Sequence, residues 1–80
     1  MDDINMLITT MVSSIVDNTD SVTVSTTEEK NGYLFEIKVD KDDVGKIIGK
    51  KGRIASAIRT VAKAAGAKKG VRALVNVLNE

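Results

Sequence analysis

The sequence has no histidine, no cysteine, no tryptophan and no proline among its 80 residues, and Tyr33 and Phe35 are its only aromatic side chains. Each absence closes a class of chemistry. Without histidine no side chain relays protons near neutral pH. Without cysteine there is no thiolate nucleophile and no disulfide framework, and the Cys/His sets that hold zinc or a cluster are missing altogether. The stability of so small a chain must then come from packing, with oligomerisation as a further source. No apolar run approaches the roughly 18 residues of a membrane span, and the acidic start Met1-Asp2-Asp3 lacks the basic segment of a signal peptide. The expectation is a soluble, cytoplasmic protein with no membrane association.

What is present is a strong segregation of charge. Lys+Arg number 12 and Asp+Glu 11, for a net charge of +1. Residues 1–40, however, carry two basic against eight acidic side chains, whereas residues 41–72 carry ten basic against two acidic. A basic half of this kind builds a local positive field suited to a polyanion, while the acidic half limits indiscriminate sticking. The same pattern also fits an ordinary solvated lysine-rich face. Eighty residues make one small domain with a radius of gyration of about 12 Å, enough for one core but not for a deep enclosed pocket. Any ligand is expected on the surface, and no cofactor is expected.

Between Asp3 and Val16 the residues Ile4, Leu7, Ile8, Met11, Val12, Ile15 and Val16 recur at steps of three and four, the stripe of an amphipathic helix capped by Asp2 or Asp3 and stopped at Asp17-Asn18-Thr19-Asp20. The period then becomes two. Val22, Val24 and Thr26, then Tyr33, Phe35, Ile37 and Val39, predict a hairpin turning at Asn31-Gly32, with the Asn-Gly pair supplying positive φ. Asp40 to Asp43 cap a short helix through Val44, Ile47 and Ile48 that breaks at Gly49. A second helix is expected from Arg53 to Ala65, ended by Gly66. After a basic loop, Lys68-Lys69-Gly70, the alternation of Val71, Ala73, Val75 and Val77 predicts a final strand. The order α-β-β-α-α-β reads as an α+β fold, a three-stranded sheet with helices packed on one face.

The informative stretch is Val44-Gly45-Lys46-Ile47-Ile48-Gly49-Lys50-Lys51-Gly52-Arg53. Two glycines flank two lysines between helices, so the chain can turn tightly and a sugar-phosphate backbone can approach closely. The helix that follows presents unpaired N–H groups there, and Lys50, Lys51 and Arg53 add full positive charges. A glycine turn between packed helices with lysines at its surface is the structural alternative, although such a turn has no need of two cations.

This stretch in an α-loop-α setting between strands resembles the KH domain, and the helix and strand on its N-terminal side resemble the type II arrangement. The run 43–53, with Ala57-Ile58-Arg59-Thr60 after it, is similar to the bacterial KhpA-type small RNA-binding proteins. The resemblance covers nearly the whole of residues 1–80, with 1–40 the first helix and hairpin and 41–80 the rest. It implies that Gly49, Lys50, Lys51 and Gly52 form the family's GXXG clamp for about four nucleotides of single-stranded RNA, with Arg53 beside it and Lys46 and Ile48 completing the RNA-binding set. In the family bases lie in an apolar groove beside the clamp, so Val44, Ile47 and Ile48 are candidates to line it, or else are core. One departure is Ala55, where a large aliphatic residue is usual. The resemblance further implies an RNA chaperone or post-transcriptional regulator, acting as a homodimer or with a larger KhpB-like KH partner, with downstream effects on cell shape and cell-wall homeostasis.

Two aromatics are too few for the stacking platform of an RRM and thin for an OB-type channel, so one copy is expected to bind weakly and with limited sequence preference. On the second helix, Ile54, Ala55, Ala57, Ile58, Val61, Ala62, Ala64 and Ala65 cover an arc of about 180°, wider than a core-facing stripe of about 100° needs. Val61 and its neighbouring alanines are therefore a candidate interface for a second KH chain, although alanines are also simply good helix formers. A KH-fold protein-interaction module with little RNA binding is the alternative function. No enzyme is expected, because Asp42-Asp43 and Glu28-Glu29 are adjacent acids rather than converging pairs.

Overall fold

The hydrophobic periods settle into three helices against one face of a mixed sheet. The structure, a computed structural model, describes residues 1–49 and 52–78. The elements are α1 (Asp2–Ser13), a 3-10 turn at Thr19–Ser21, β1 (Thr23–Glu29), β2 (Gly32–Lys38), a second 3-10 turn at Lys41–Asp43, α2 (Val44–Ile48), α3 (Arg53–Lys68) and β3 (Arg72–Val77). The strand order is β1-β2-β3. β1 pairs antiparallel to β2, with Glu29 opposite Gly32, and β3 pairs parallel to β2, with Leu34 opposite Leu74. A parallel neighbour needs a crossover, and α2 and α3 supply it.

Ile4, Ile8 and Val12 are spaced by one helical turn on α1 and are buried against Phe35 and Ile37 of the central strand and Ile58 and Ala62 of α3. Phe35 and Ile37 have no solvent exposure. Tyr33 shares their face and packs at the edge of the core, so both aromatics serve packing. Ala55 stands in the core with Ile58 and Ala62, while Ile54 is half-buried. The small residue at 55 lets the start of α3 sit close, and the phase of the helix is set by the 55–58–62 spacing. The Cα radius of gyration is 11.9 Å. Among the described residues no helix is long and apolar enough to cross a membrane.

Four local expectations are corrected. α1 ends at Ser13 rather than Val16, and Val16 reaches the core from a following turn. Its N-cap is Met1, with Asp2 and Asp3 inside the first turn, where Asp3 accepts from the N–H of Ile4 at 2.9 Å. The hairpin turns at Lys30-Asn31, and Gly32 already belongs to β2 without positive φ. Glycine is required there because a Cβ would lie 2.1 Å from the Arg72 carbonyl oxygen on β3. α3 does not end at Gly66 but runs through Lys68, and Gly70, at φ 73°, closes it. There the Val71 N–H donates to the Gly66 carbonyl at 2.9 Å and the Gly70 N–H to that of Ala67 at 3.1 Å, a Schellman pair. Gly66 is buried and lets α3 approach the start of β3, since a Cβ would meet the Val71 oxygen at 2.9 Å and the Ala73 Cβ at 3.0 Å.

Candidate nucleic-acid interface

The α2–α3 junction is shaped by its two glycines. Gly49 ends α2 at φ 66°, ψ −175°, a region essentially closed to other residues, and its N–H donates to the Gly45 carbonyl at 2.8 Å. A Cβ at 49 would also press on the Ile54 side chain at 3.0 Å. Gly52 precedes α3 in the left-handed conformation, φ 73°, ψ 16°, with open space where a Cβ would stand. The predicted Lys50 and Lys51 lie outside the described residues. α3 thus begins with no side-chain cap and no acidic residue in its first turn. Exposed Arg53 stands in that first turn, at the positive end of the helix dipole.

The apolar candidates divide. Ile47 is fully buried and Val44 nearly so, both in the core, while Ile48 is 37% exposed next to Gly49. Of the three, Ile48 is the one that solvent reaches. Gly45 is exposed one turn before Gly49, and no atom stands within 4 Å of where its Cβ would be.

Lys46, on α2, is held by two carboxylates. Its ammonium donates to the Asp17 carboxylate and lies 3.5 Å from that of Asp43. The Asp17 hydrogen bond, and behind it the charges of Asp17 and Asp43, hold its pKa above the usual lysine value against the opposing effect of burial. Asp43 is itself buried. Burial pushes its carboxyl up, but hydrogen bonds from the Asn18 N–H and side-chain amide and the Asp17 N–H, with the Lys46 charge, outweigh it and hold the pKa below the ordinary value. Lys46 therefore ties α2 to the end of α1.

Two cations outside the predicted set lie farther along α3, Arg59 and Lys63, both exposed. The Arg59 Nε donates to the Val75 carbonyl on β3 at 3.2 Å. Leu78 N–H donates to Ile37 on β2, so by alternation the backbone groups of Val75 and Val77 face the free edge of the sheet. The i, i+4 spacing of 59 and 63 was the available signal. On the opposite flank of α3, Ala57, Val61 and Ala64 are exposed, Val61 by 37%. Asp42 is exposed where Asp43 is buried, and Glu28 and Glu29 alternate along β1, so neither adjacent pair converges. Among the described residues no group of acids is placed to hold a metal ion.

Residues 5–77 match the model of the family described as KhpA/KhpB, KH domain. The RNA-binding protein KhpA of Clostridium acetobutylicum is 46% identical over 72 residues, covering 90% of this chain and 96% of that protein. The RNA-binding protein KhpA of Borreliella burgdorferi is 42% identical over 73 residues, covering 91% and 89%. Among solved structures, Aquifex aeolicus Era bound to GDP and aluminium fluoride superposes with a TM-score of 0.69 at 20% identity, over 92% of this chain. The matched part is 29% of the Era chain. Era in complex with MgGDPNP and a segment of 16S ribosomal RNA gives 0.65 over the same share of this chain. These two structural likenesses speak to the fold, which is the type II KH arrangement. By its sequence and its fold, the chain belongs to the KhpA/KhpB KH-domain family.

Proposed function

We propose that the protein is a non-enzymatic module that binds single-stranded RNA by clamping its sugar-phosphate backbone on the 49–52 loop and the start of α3. The observation that carries this reading is the uncapped, acid-free N-terminus of α3, reached through two glycines whose φ values are 66° and 73°. Such a terminus supplies donors and positive potential, and the glycines keep side chains out of the strand's way. Relatives named RNA-binding protein KhpA at 46% and 42% identity support RNA as the polymer. Arg53, Lys50 and Lys51 bring the charges, and Ile48 offers an apolar contact to a base. Lys46 acts through its ion pairs by holding α2 in place.

The test is binding to a pool of single-stranded RNA across a salt series, with a Lys50→Asp, Lys51→Asp variant checked by circular dichroism to be folded. Binding by the parent and not by the variant is expected, and removing one lysine–phosphate interaction should flatten the log-log salt slope by about 0.7. Equal binding by both would overturn the clamp. RNA left intact after incubation with Mg²⁺ is expected of a binding module.

A second element of the reading is pairing through α3, with another copy or with a KhpB-like KH chain, on the exposed face that carries Ala57, Val61 and Ala64. Two linked clamps multiply affinity through effective concentration, which suits an RNA chaperone or post-transcriptional regulator whose targets bear on cell shape and wall homeostasis. A monomer at high concentration in analytical ultracentrifugation, unchanged by Val61→Asp, would overturn the homodimer.

A further inference from the structure

The far end of α3 holds a second set of cations. A cavity of about 240 Å³ opens between α3 and the start of β3, lined by Lys63, Ala67, Val71, Arg72, Ala73 and Leu74. Its lining contains two cations and no acid. Ala67, Val71 and Ala73 give it an apolar floor, and Leu74, 40% exposed, stands at its rim. Ion pairs join Lys46 to Asp17 and Asp43 and Lys69 to Asp3, and among the described residues none is found for Lys63 or Arg72. Of the basic residues around the α3–β3 loop, Lys69 is thus already engaged by α1. Lys68 is displaced by about 140° around the helix from Lys63 and faces away. Arg72 remains, and it lines the same cavity as Lys63.

We infer that Lys63 and Arg72 form a second anion-binding subsite that takes a phosphate of the same RNA strand beyond the clamp, with its sugar or base on the Ala67–Val71–Ala73 floor. The inference rests on the RNA-binding reading above. Lys63 lies ten residues past Arg53, about 15 Å along the helix axis. Arg59 stands between them, so positive charge continues from the clamp to the cavity along the β3 side of α3. Two cations that line one cavity with apolar residues, and that have no ion pair among the described residues, match a nucleotide, anionic at one end and apolar over its ring faces. On the hairpin side Arg72 also lines a neighbouring cavity, together with Glu29 and Lys30.

The test compares the parent, a Lys63→Gln, Arg72→Gln double variant, each single variant and a Lys68→Gln control. Their affinities for an oligouridine tetranucleotide and decanucleotide are read by NMR titration and fluorescence anisotropy. The double variant is expected to bind the decanucleotide roughly tenfold more weakly, with a salt slope flatter by about 0.7 for the one phosphate lost, and the tetranucleotide as the parent does. The single variants fall between, and Lys68→Gln matches the parent. Equal weakening at both lengths, no weakening, or an equal effect of Lys68→Gln would overturn the subsite, the last by pointing to a diffuse field. If the parent binds neither oligonucleotide, the RNA-binding reading itself fails and the subsite with it.

Discussion

The carboxylate of Asp43 accepts hydrogen bonds from the backbone N–H and the side-chain amide of Asn18, both at 3.0 Å, across 25 residues of chain. The Asp17 N–H reaches its other oxygen at 3.3 Å. A single acid at the start of α2 thereby satisfies the donors of the turn that leaves α1, and it fixes where α2, and so the Gly49 turn, stands relative to the first helix. Lys46 closes the cluster by bridging Asp43 and Asp17.

This cluster dictates a pH dependence. The Asp43 pKa is held below the ordinary carboxylate value, so its contribution to stability is complete above that value and is lost as pH falls through the lowered one. The Lys46 pKa is raised, so its contribution is complete below the ordinary lysine value and is lost only as pH rises through the raised one. The cluster is therefore at full strength throughout the neutral range. Asp43→Asn should lower Tm at pH 7, and the gap from the parent should narrow as the solution is acidified. Thermal melts from pH 7 down to strongly acid conditions check this, and parallel Tm curves would show that Asp43 does not act through its charge.

The loop glycines should respond unequally to alanine. Gly52→Ala costs only what a left-handed residue in open space costs, about 1–2 kcal/mol, and Gly52→Asn should recover part of it. Gly49→Ala meets both a glycine-only backbone region and the Ile54 side chain, for about 2–3 kcal/mol. Urea unfolding with a common m-value measures both. Equal costs would mean that the Gly49 turn relaxes freely.

Much of this was legible in the chain. The 3.6 and 2.0 periods located α1, β1, β2 and β3, and the glycine-lysine run placed the loop between two helices, because these are short-range signals. What escaped were contacts made at long range. The period through Ile15 and Val16 matched a helix, but Asp43 draws the backbone out of it one turn early. The Asn31-Gly32 pair carried a turn signal, yet the glycine answers to Arg72 on a strand about forty residues later. Lys46 read as one more cation of the loop, and only the fold brings Asp17 to it. Arg59 and Lys63 were visible as charges, but the parallel pairing of β3 is what puts a free sheet edge and a cavity beside them.

Gly45 and Gly66 both lie within helices, and the same substitution should act on them with opposite signs. At Gly66 the helical gain of alanine is overrun by the Val71 oxygen and the Ala73 methyl, a close approach of backbone that costs about 1–3 kcal/mol to open. At Gly45 nothing stands in the way, so Gly45→Ala should stabilise the free protein by up to about 1 kcal/mol. Gly45 weakens its own helix with no packing reason, one turn from Gly49 and Ile48, and the proposed RNA clamp supplies one, since a bare backbone there would let the strand approach closely. Gly45→Ala should therefore raise Tm and yet weaken RNA binding, while a folded Gly66→Ala should lower Tm and leave RNA binding unchanged. Melting curves and RNA anisotropy on the two variants separate the cases: a stabilised Gly45→Ala that binds RNA as tightly as the parent would place the strand elsewhere than on the Gly45–Ile48 face of α2.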